Sequence, residues 1–296
     1  MTSTRPEGVL AGLNAPQGRP SALARVPPMR HGLLAAYDAQ LRESVETSDF
    51  DDVRTDGPLW IARMPSRGFV TYRSLSGVTA VELDALISRT VSSFSADPQI
   101  EEFEWKTRDH DGPPNLGALL IGYGLRPQER ETVMAGAIEG LAGHDPLPEG
   151  VELHRAGDRG DLRSDVERVV QFQNSVFGPI PRMVEMTLRR LDSPYVDLWF
   201  AEAGGDVIGS GRLDRVPGTD FAGLWGGAIR EDWRRHGVYR ALTQARARYA
   251  QAEGARYLYA DCTVMSRVIL ESCGLIPITT TVPYIWHRNG SALPQQ

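Results

Sequence analysis

The chain has 296 residues, of which 41% are hydrophobic and 24% charged, and its net charge is −6. This length fits two domains of ordinary size, and the composition is that of a globular protein rather than a disordered or fibrous one. The acidic balance argues against a nucleic-acid partner, since binding to a phosphate backbone needs a concentrated basic surface.

The sequence also predicts a cytoplasmic protein without membrane contact. No segment has the roughly 20 apolar residues of a membrane helix, and residues 1–30 lack the apolar core of a signal peptide. Cys262 and Cys273 are too few for a disulfide framework, which fits a reducing compartment. Lys106 is the single lysine among many arginines, and this bias, with abundant Ala, Gly and Pro, suggests a GC-rich bacterial genome.

In chain order, the first half alternates strands with helices, which is the pattern of an α/β domain. Residues 1–30 are predicted to form a disordered tail. The spacing then predicts a helix over 33–41, strands over 59–63 and 68–75, a helix over 78–94, a strand over 101–107, a helix over 116–123 and a strand over 131–138. Val81 falls on the apolar face of helix 78–94. Residues 141–150 lack periodicity and are rich in Gly, Pro and acids, so they are expected to link domains 31–140 and 151–296.

The second half begins a new series of elements. We expect a strand over 151–155, helices over 162–176 and 183–191, strands over 196–203, 206–216 and 220–229, a helix over 237–253, a strand over 256–262, a helix over 266–273 and a strand over 276–287. Gly226 and Gly227 are poor strand formers, and they predict a bulge or a close approach by another chain or ligand.

The turn REDWRRHG places a glycine at a strand-to-helix junction. Free N–H groups of the first helical turn can converge on an anion there, and Gly237 would allow it to approach the backbone closely. Arg234, Arg235 and Arg240 add charge, and an arginine fork matches phosphate oxygens. The alternative is an ordinary solvated helix start, and the R-x-x-G spacing alone does not decide between them.

This turn resembles motif A of the GCN5-related N-acetyltransferase (GNAT) superfamily, Q/R-x-x-G-x-G/A. Arg234 takes the first position and Gly237 the fourth, and Tyr239 replaces the usual small residue in the sixth. Downstream, TVMSRVILESCGL resembles motif B of the superfamily, although Leu275 replaces the usual aromatic residue. The resemblance covers about residues 151–287 and implies a GNAT-like α/β fold with a mixed sheet.

The resemblance implies a site for acetyl-coenzyme A as acyl donor. The pyrophosphate would lie at the start of the helix, and the pantetheine arm along strand 220–229. The residues implied are Ala228, Ile229, Arg234, Arg235, His236, Gly237, Val238, Tyr239, Arg240, Thr263 and Ser266. The N–H groups of Ala228 and Ile229 are also the candidate donors to an oxyanion. For Thr263 the alternative is an N-cap whose hydroxyl bonds the helix backbone.

Acetyl transfer also needs a route for the amine proton and sometimes an acid for the sulfur. The superfamily's usual acid is a tyrosine at the position of Leu270, so Tyr284 becomes the candidate acid, with packing in its strand as the alternative. Asp220 and Asp261 are the candidate bases, with solvated strand ends as the alternative. No metal is assigned, because the acids around His110 form a turn without further ligands at matching spacing.

The first half resembles a degenerate copy of the same fold. Its segment TYRSLSG, before helix 78–94, lacks the R-x-x-G-x-G/A pattern, so a supporting role or one wall of an acceptor pocket is expected. We therefore expect two tandem GNAT-like domains, as a monomer or homodimer, that transfer acetyl from acetyl-CoA to a primary amine of a small molecule or peptide by direct attack in a ternary complex. One alternative is a non-catalytic acyl-CoA sensor or scaffold, favoured by Leu270. The other is an acyltransferase that uses aminoacyl-tRNA, disfavoured by the acidic charge.

Overall fold

A computed structural model describes residues 26–288. The first half contains α1 (Val26–Gln40), β1 (Asp52–Asp56), β2 (Leu59–Met64), β3 (Arg67–Thr71), α2 (Ala80–Ala96), β4 (Glu102–Arg108), α3 (Leu116–Gly122), β5 (Arg126–Pro127) and β6 (Glu131–Ala137). The second half contains β7 (Val151–Arg155), α4 (Leu162–Phe177), α5 (Met183–Leu191), β8 (Val196–Ala203), β9 (Asp206–Arg215), β10 (Phe221–Ile229), α6 (Val238–Ala252), β11 (Tyr257–Cys262), α7 (Val264–Cys273) and β12 (Ile276–His287).

Within residues 26–288, twelve strands form one mixed sheet. The order along the sheet is β1-β2-β3-β4-β12-β6-β11-β10-β9-β8-β7, and β5 pairs with β12 beside this path. β3 is parallel to β4, and β10 is parallel to β11. Each parallel pair is joined by a helix, α2 in the first half and α6 in the second, so the two halves repeat one strand–helix–strand unit. This is the mixed α/β architecture that the sequence predicts.

The two halves exchange strands at the centre of the sheet. β6 precedes the predicted linker, but it lies between β11 and β12 and pairs with both. β12 pairs with β6 through its first residues and with β4 from Thr281 onwards. Each half therefore completes its part of the sheet with a strand from the other, and the linker at 141–150 joins two parts that are already connected through hydrogen bonds.

The helices cover both faces of this sheet. α2 and α3 pack over the first half, where Phe94, Phe103 and Trp105 are buried in one apolar cluster. α1 lies across the centre, because its Leu33 and Tyr37 pack with residues of β6, β10 and β12. In the described range, no helix is both long enough and apolar enough to cross a membrane.

The structure differs from the predicted elements in several places, and the short strand β5 is among those that the sequence does not predict. The sequence does not predict β1, because this edge strand is exposed and has no apolar alternation. Val81 is 80% exposed rather than part of the apolar face of α2, since it lies on the opposite side of the helix from the buried Leu83. The predicted tail runs to residue 30, whereas α1 begins at Val26; residues 1–25 lie outside the described part of the chain.

The strand exchange predicts that the second half does not fold well alone. A chain of residues 141–296 lacks β6, which leaves β11 and part of β12 with unpaired edges that promote aggregation. A chain of residues 126–296 keeps β6 and is the matched control. We expect a clearly larger monomeric fraction for the control by size-exclusion chromatography, and a sharper thermal transition. A monomeric 141–296 chain with a cooperative transition would contradict this dependence on β6.

Candidate functional site

A cavity of ≈ 790 Å³ lies where β10 ends and α6 begins. Its walls come from the end of α4, the last residues of β10, the turn at 230–237, the first turn of α6 and one side of α7. This is the turn in which the sequence predicts an anion site. The volume falls in the range of small-molecule and cofactor pockets.

The cavity exists because β10 and β11 diverge. Their parallel pairing covers only Phe221–Gly223 with Tyr257–Tyr259. Beyond these residues, the register of β10 with β9 shifts between Trp225 and Ala228, and Gly226 has a φ of +58°, which glycine adopts without strain. The predicted bulge is therefore confirmed. Among the described residues, no strand pairs with the edge of β10 that faces β11 after the bulge, so its main chain can pair with an extended ligand.

Of the two predicted oxyanion donors, Ile229 directs its N–H toward this gap. The N–H of Arg230 donates to the carbonyl of Ile208 in β9, at 2.8 Å. Successive N–H groups along a strand point to opposite sides, so the N–H of Ala228 also points toward β9 while that of Ile229 points away from it. This corrects the prediction for Ala228, which contributes to the cavity wall but not as a donor.

The turn before α6 contains two residues with left-handed backbone conformation. Arg235 has a φ of +66° and Gly237 a φ of +83°, both in the left-handed region. Left-handed residues within such a turn aim neighbouring N–H groups at one point, which is an arrangement that binds anions. Gly237 is the N-cap of α6, and among the described residues no side chain caps this helix. The N–H groups of its first turn are therefore open to a ligand.

Three arginines bring positive charge to the cavity. Arg234 and Arg235 line it and are exposed, and neither forms an ion pair within residues 26–288. Arg240 also lines it, and its Nη1 lies 3.4 Å from Oδ2 of Asp145, with both side chains half-exposed. An exposed pair of this kind contributes at most about 1 kcal/mol, so Arg240 can exchange Asp145 for a phosphate at little cost.

The structure gathers most of the predicted coenzyme residues around this cavity. Those that line it are Ala228, Ile229, Arg234, Arg235, Gly237, Val238, Tyr239, Arg240 and Ser266. His236 is not among them, because its Nδ1 lies 2.9 Å from the carbonyl oxygen of Arg234 and its ring packs against Trp233. Thr263 is not among them either. It is the N-cap of α7, as in the alternative, but its hydroxyl makes no capping hydrogen bond.

The predicted site residues do not include several others that line the cavity, among them Phe177, Trp233, Ile269 and Cys273. Phe177 and Ile269 are exposed apolar side chains at 58% and 43%. Apolar residues outside the buried stripe of a helix are the one signal that marks them in the sequence. Only the fold brings the end of α4 and one side of α7 to the same cavity.

The structure does not bring Tyr284 to the cavity. Tyr284 lies in β12 opposite Trp105 of β4 and packs with the apolar core of the first half. Its hydroxyl lies beside α3, where a Cβ added to Gly117 would stand only 2.2 Å from it. The alternative of packing therefore describes this residue, because β12 crosses to the first half before it reaches Tyr284.

Asp220 lies at the opposite end of β10 from the cavity, too far away to act on a substrate bound there. It precedes the strand, whereas the cavity is at the other end, about 26 Å away for nine residues in extended conformation. Its carbonyl accepts hydrogen bonds from the N–H groups of Arg256 and Tyr257, and its Oδ2 accepts one from Gln40 at 3.1 Å. These contacts give Asp220 a role in holding α1 and β11 to β10.

Asp261 is not among the residues that line the cavity, but of the two predicted bases it is the one at the end of β11 where the strands diverge. It follows the last paired residue of β11, Tyr259, by two positions and therefore faces the same side of the sheet. Its Oδ2 is 2.8 Å from Nζ of Lys106. Its Oδ1 is buried and has no hydrogen-bond partner among the described residues. A buried carboxylate oxygen without a donor is costly, and it is an acceptor to which a substrate proton can bond.

Lys106 connects Asp261 to the first half. It lies on β4, and its Nζ is also 3.9 Å from Glu46, which forms an ion pair with Arg108. Burial by itself raises the pKa of Glu46, but the positive charges of Arg108 and Lys106 outweigh it and the pKa is lowered. Burial lowers the pKa of Lys106, yet Asp261, Tyr37 and Glu46 raise it overall. Lys106 and Glu46 are therefore both charged at neutral pH.

Known proteins share this fold. A GCN5-related N-acetyltransferase from Kribbella flavida superposes with a TM-score of 0.59 at 15% identity, over 85% of this chain and 93% of that one. A GCN5-related N-acetyltransferase from Sphaerobacter thermophilus gives 0.59 at 14%, over 78% and 77%. A tandem GNAT protein from the clavulanic acid biosynthesis pathway gives 0.53 at 13%, over 80% and 79%. No curated protein sequence matches the chain.

At such low identities these likenesses show the fold alone. Residues 166–267, which span α4 to the first residues of α7, match the family model described as Acetyltransferase (GNAT) family. This match includes the bulge of β10, the turn at 230–237 and Asp261. The chain thus carries a domain of the GNAT acetyltransferase family at residues 166–267, within a fold that it shares with GCN5-related N-acetyltransferases, a tandem member among them.

Proposed function

We propose that this protein is an N-acetyltransferase that transfers the acetyl group of acetyl-CoA to a primary amine of a small molecule or peptide, by direct attack in a ternary complex. The observation that carries the proposal is the open N-terminus of α6 beside the unpaired edge of β10. The helix end offers N–H donors and positive charge to a pyrophosphate. The strand edge offers main-chain pairing to an arm that contains amides. Coenzyme A has both of these chemical features.

The residues present fit the donor. Arg234 and Arg235 supply unpaired charge, and the N–H groups from Gly237 onwards supply the first turn of α6. The N–H of Ile229 faces the gap next to the bulge, where it can stabilise negative charge on a thioester oxygen. One such donor contributes about 100-fold or more to the rate of acyl transfer.

Asp261 is the proposed base. An alkyl amine with a pKa near that of lysine, about 10.4, is mostly protonated at neutral pH and must lose a proton before it can attack. The buried Oδ1 of Asp261 can accept that proton, directly or through a water molecule, while Lys106 holds Oδ2. The new C–N bond then forms as the C–S bond breaks, and the products are an amide and the free thiol of coenzyme A.

The donor site is tested by titration calorimetry with acetyl-CoA and with coenzyme A. We expect saturable binding at one site per chain, and no detectable binding for Gly237→Glu, which puts a negative charge and extra bulk where the pyrophosphate lies. Gly237→Ala is the matched control. A Cβ at Gly237 meets nothing within 4 Å, so alanine brings only the strain of its positive φ, about 1–2 kcal/mol. Wild-type affinity in the glutamate variant would contradict the site.

Turnover is tested by thiol release from acetyl-CoA with a panel of primary amines. Asp261→Asn should lower kcat by about 100-fold, the usual contribution of a general base, with little change in acetyl-CoA affinity. Asp220→Asn is the control, since Asp220 lies at the far end of β10, and we expect its rate to match the wild type. Equal rates in the two variants would remove Asp261 from the mechanism. Coenzyme binding without turnover of any amine would instead favour the acyl-CoA sensor.

A further inference from the structure

Tyr239 occupies the gap between β10 and β11. It is the second residue of α6, it lines the cavity, and its ring stands against the bulge of β10. A Cβ added to Gly227 would lie 2.9 Å from Cε2 of Tyr239 and 3.1 Å from its hydroxyl oxygen. The second bulge glycine therefore makes room for this phenol. On the other side of the gap, Cys262 of β11 and Cys273 of α7 are close enough to affect its pKa.

Arg246 is the charged neighbour of this phenol. It lies on α6 two turns after Tyr239 and is only 1% exposed. Its guanidinium donates to the carbonyls of Leu242 and Arg212, at 3.2 and 3.1 Å, and it has no ion pair within residues 26–288. Its Nη2 also lies 3.4 Å from the hydroxyl of Thr243, so all three nitrogens are bonded, but no carboxylate neutralises this buried charge, which is costly.

The phenol proton of Tyr239 is not donated to Arg246. Arg246 is close enough to act on the pKa of Tyr239, and because a guanidinium has only donors it cannot accept the phenol proton. Among the described residues, no acceptor takes the hydroxyl proton of Tyr239. Burial raises the pKa of Tyr239, and the nearby Arg246 acts in the opposite direction without cancelling it. The phenol is therefore protonated at neutral pH, and the charge of Arg246 can stabilise the phenolate that forms when the proton leaves.

We propose that Tyr239 is the acid that donates its phenol proton to the departing sulfur of the acyl donor. The inference rests on the proposed acetyltransferase function. The amine nitrogen bonds to the acetyl carbon, the C–S bond breaks with its electron pair on sulfur, and the sulfur takes the proton of Tyr239. The phenolate regains a proton from water, while the amine proton leaves through the base. The net change is amine and thioester to amide and thiol.

The test compares coenzyme A with desulfo-coenzyme A, which lacks the sulfur, by calorimetry on the wild type and on Tyr239→Phe. If the phenol bonds to the sulfur, the wild type should bind coenzyme A about 3- to 10-fold more tightly than desulfo-coenzyme A, the usual effect of one hydrogen bond. Tyr239→Phe should lose this difference and keep its affinity for desulfo-coenzyme A. It should also lower kcat by about 100-fold with an unchanged KM for acetyl-CoA.

Tyr249→Phe is the matched control on the same helix, because the hydroxyl of Tyr249 accepts a hydrogen bond from Arg155, outside the cavity. It should leave both affinities and kcat unchanged. If Tyr239→Phe keeps the wild-type preference for coenzyme A and the wild-type kcat, Tyr239 only fills the gap and the inference is wrong. If the wild type itself binds neither ligand, the donor site fails and the inference fails with it. A failure of the inference alone is therefore seen only in Tyr239→Phe, whereas a failure of the donor site is already seen in the wild type.

Discussion

The early divergence of β10 from β11 is the constraint on which the candidate site depends. Parallel strands that stayed paired to their ends would bury the N–H of Ile229 in the sheet and leave no space beside Asp261. The pairing stops after Gly223 because a bulge bends β10 away and the ring of Tyr239 stands against Gly227. The turn before the helix that carries Tyr239 contains Arg234 and Arg235 and leaves the first N–H groups of the helix open. One strand–turn–helix segment therefore forms both the gap and the positively charged end of the cavity.

The same unit in the first half is arranged differently. β3 pairs with β4 over Arg67–Val70, almost its whole length. Beside the end of β3, Arg42 donates to the carbonyl of Tyr72, and Glu46 accepts from Thr71 at 2.6 Å. The first turn of α2 has its own capping box, formed by Thr79 and Glu82. Side chains of the protein thus occupy the positions that stay open in the second half. The absence of a coenzyme from the first half stays a prediction, and we propose that this half contributes Lys106 to the site, beside Asp261.

The sequence was most informative where the cause is local. The R-x-x-G turn and the glycine pair depend on neighbouring residues, so they were predicted with nearly correct positions. Tyr284 and Asp220, which the sequence predicts as catalytic, lie away from the cavity for another reason. A residue on a strand can act at a site only if its own end of the strand lies next to that site. This depends on the order of the strands in the sheet, which cannot be read from the sequence. Because β12 crosses to β4, Tyr284 lies in the first-half core, and Asp220 stands at the closed end of β10.

The sequence by itself determined most of the helices and strands, the bulge of β10 and the glycine turn before α6, because spacing, glycine and capping act over a few residues. The tertiary structure decided which of these elements meet. It placed β6 between β11 and β12, and it brought Lys106 to Asp261, 155 residues further along the chain. Such contacts depend on which strand edges remain unpaired once the local elements have formed, and that is a property of the whole sheet rather than of any segment.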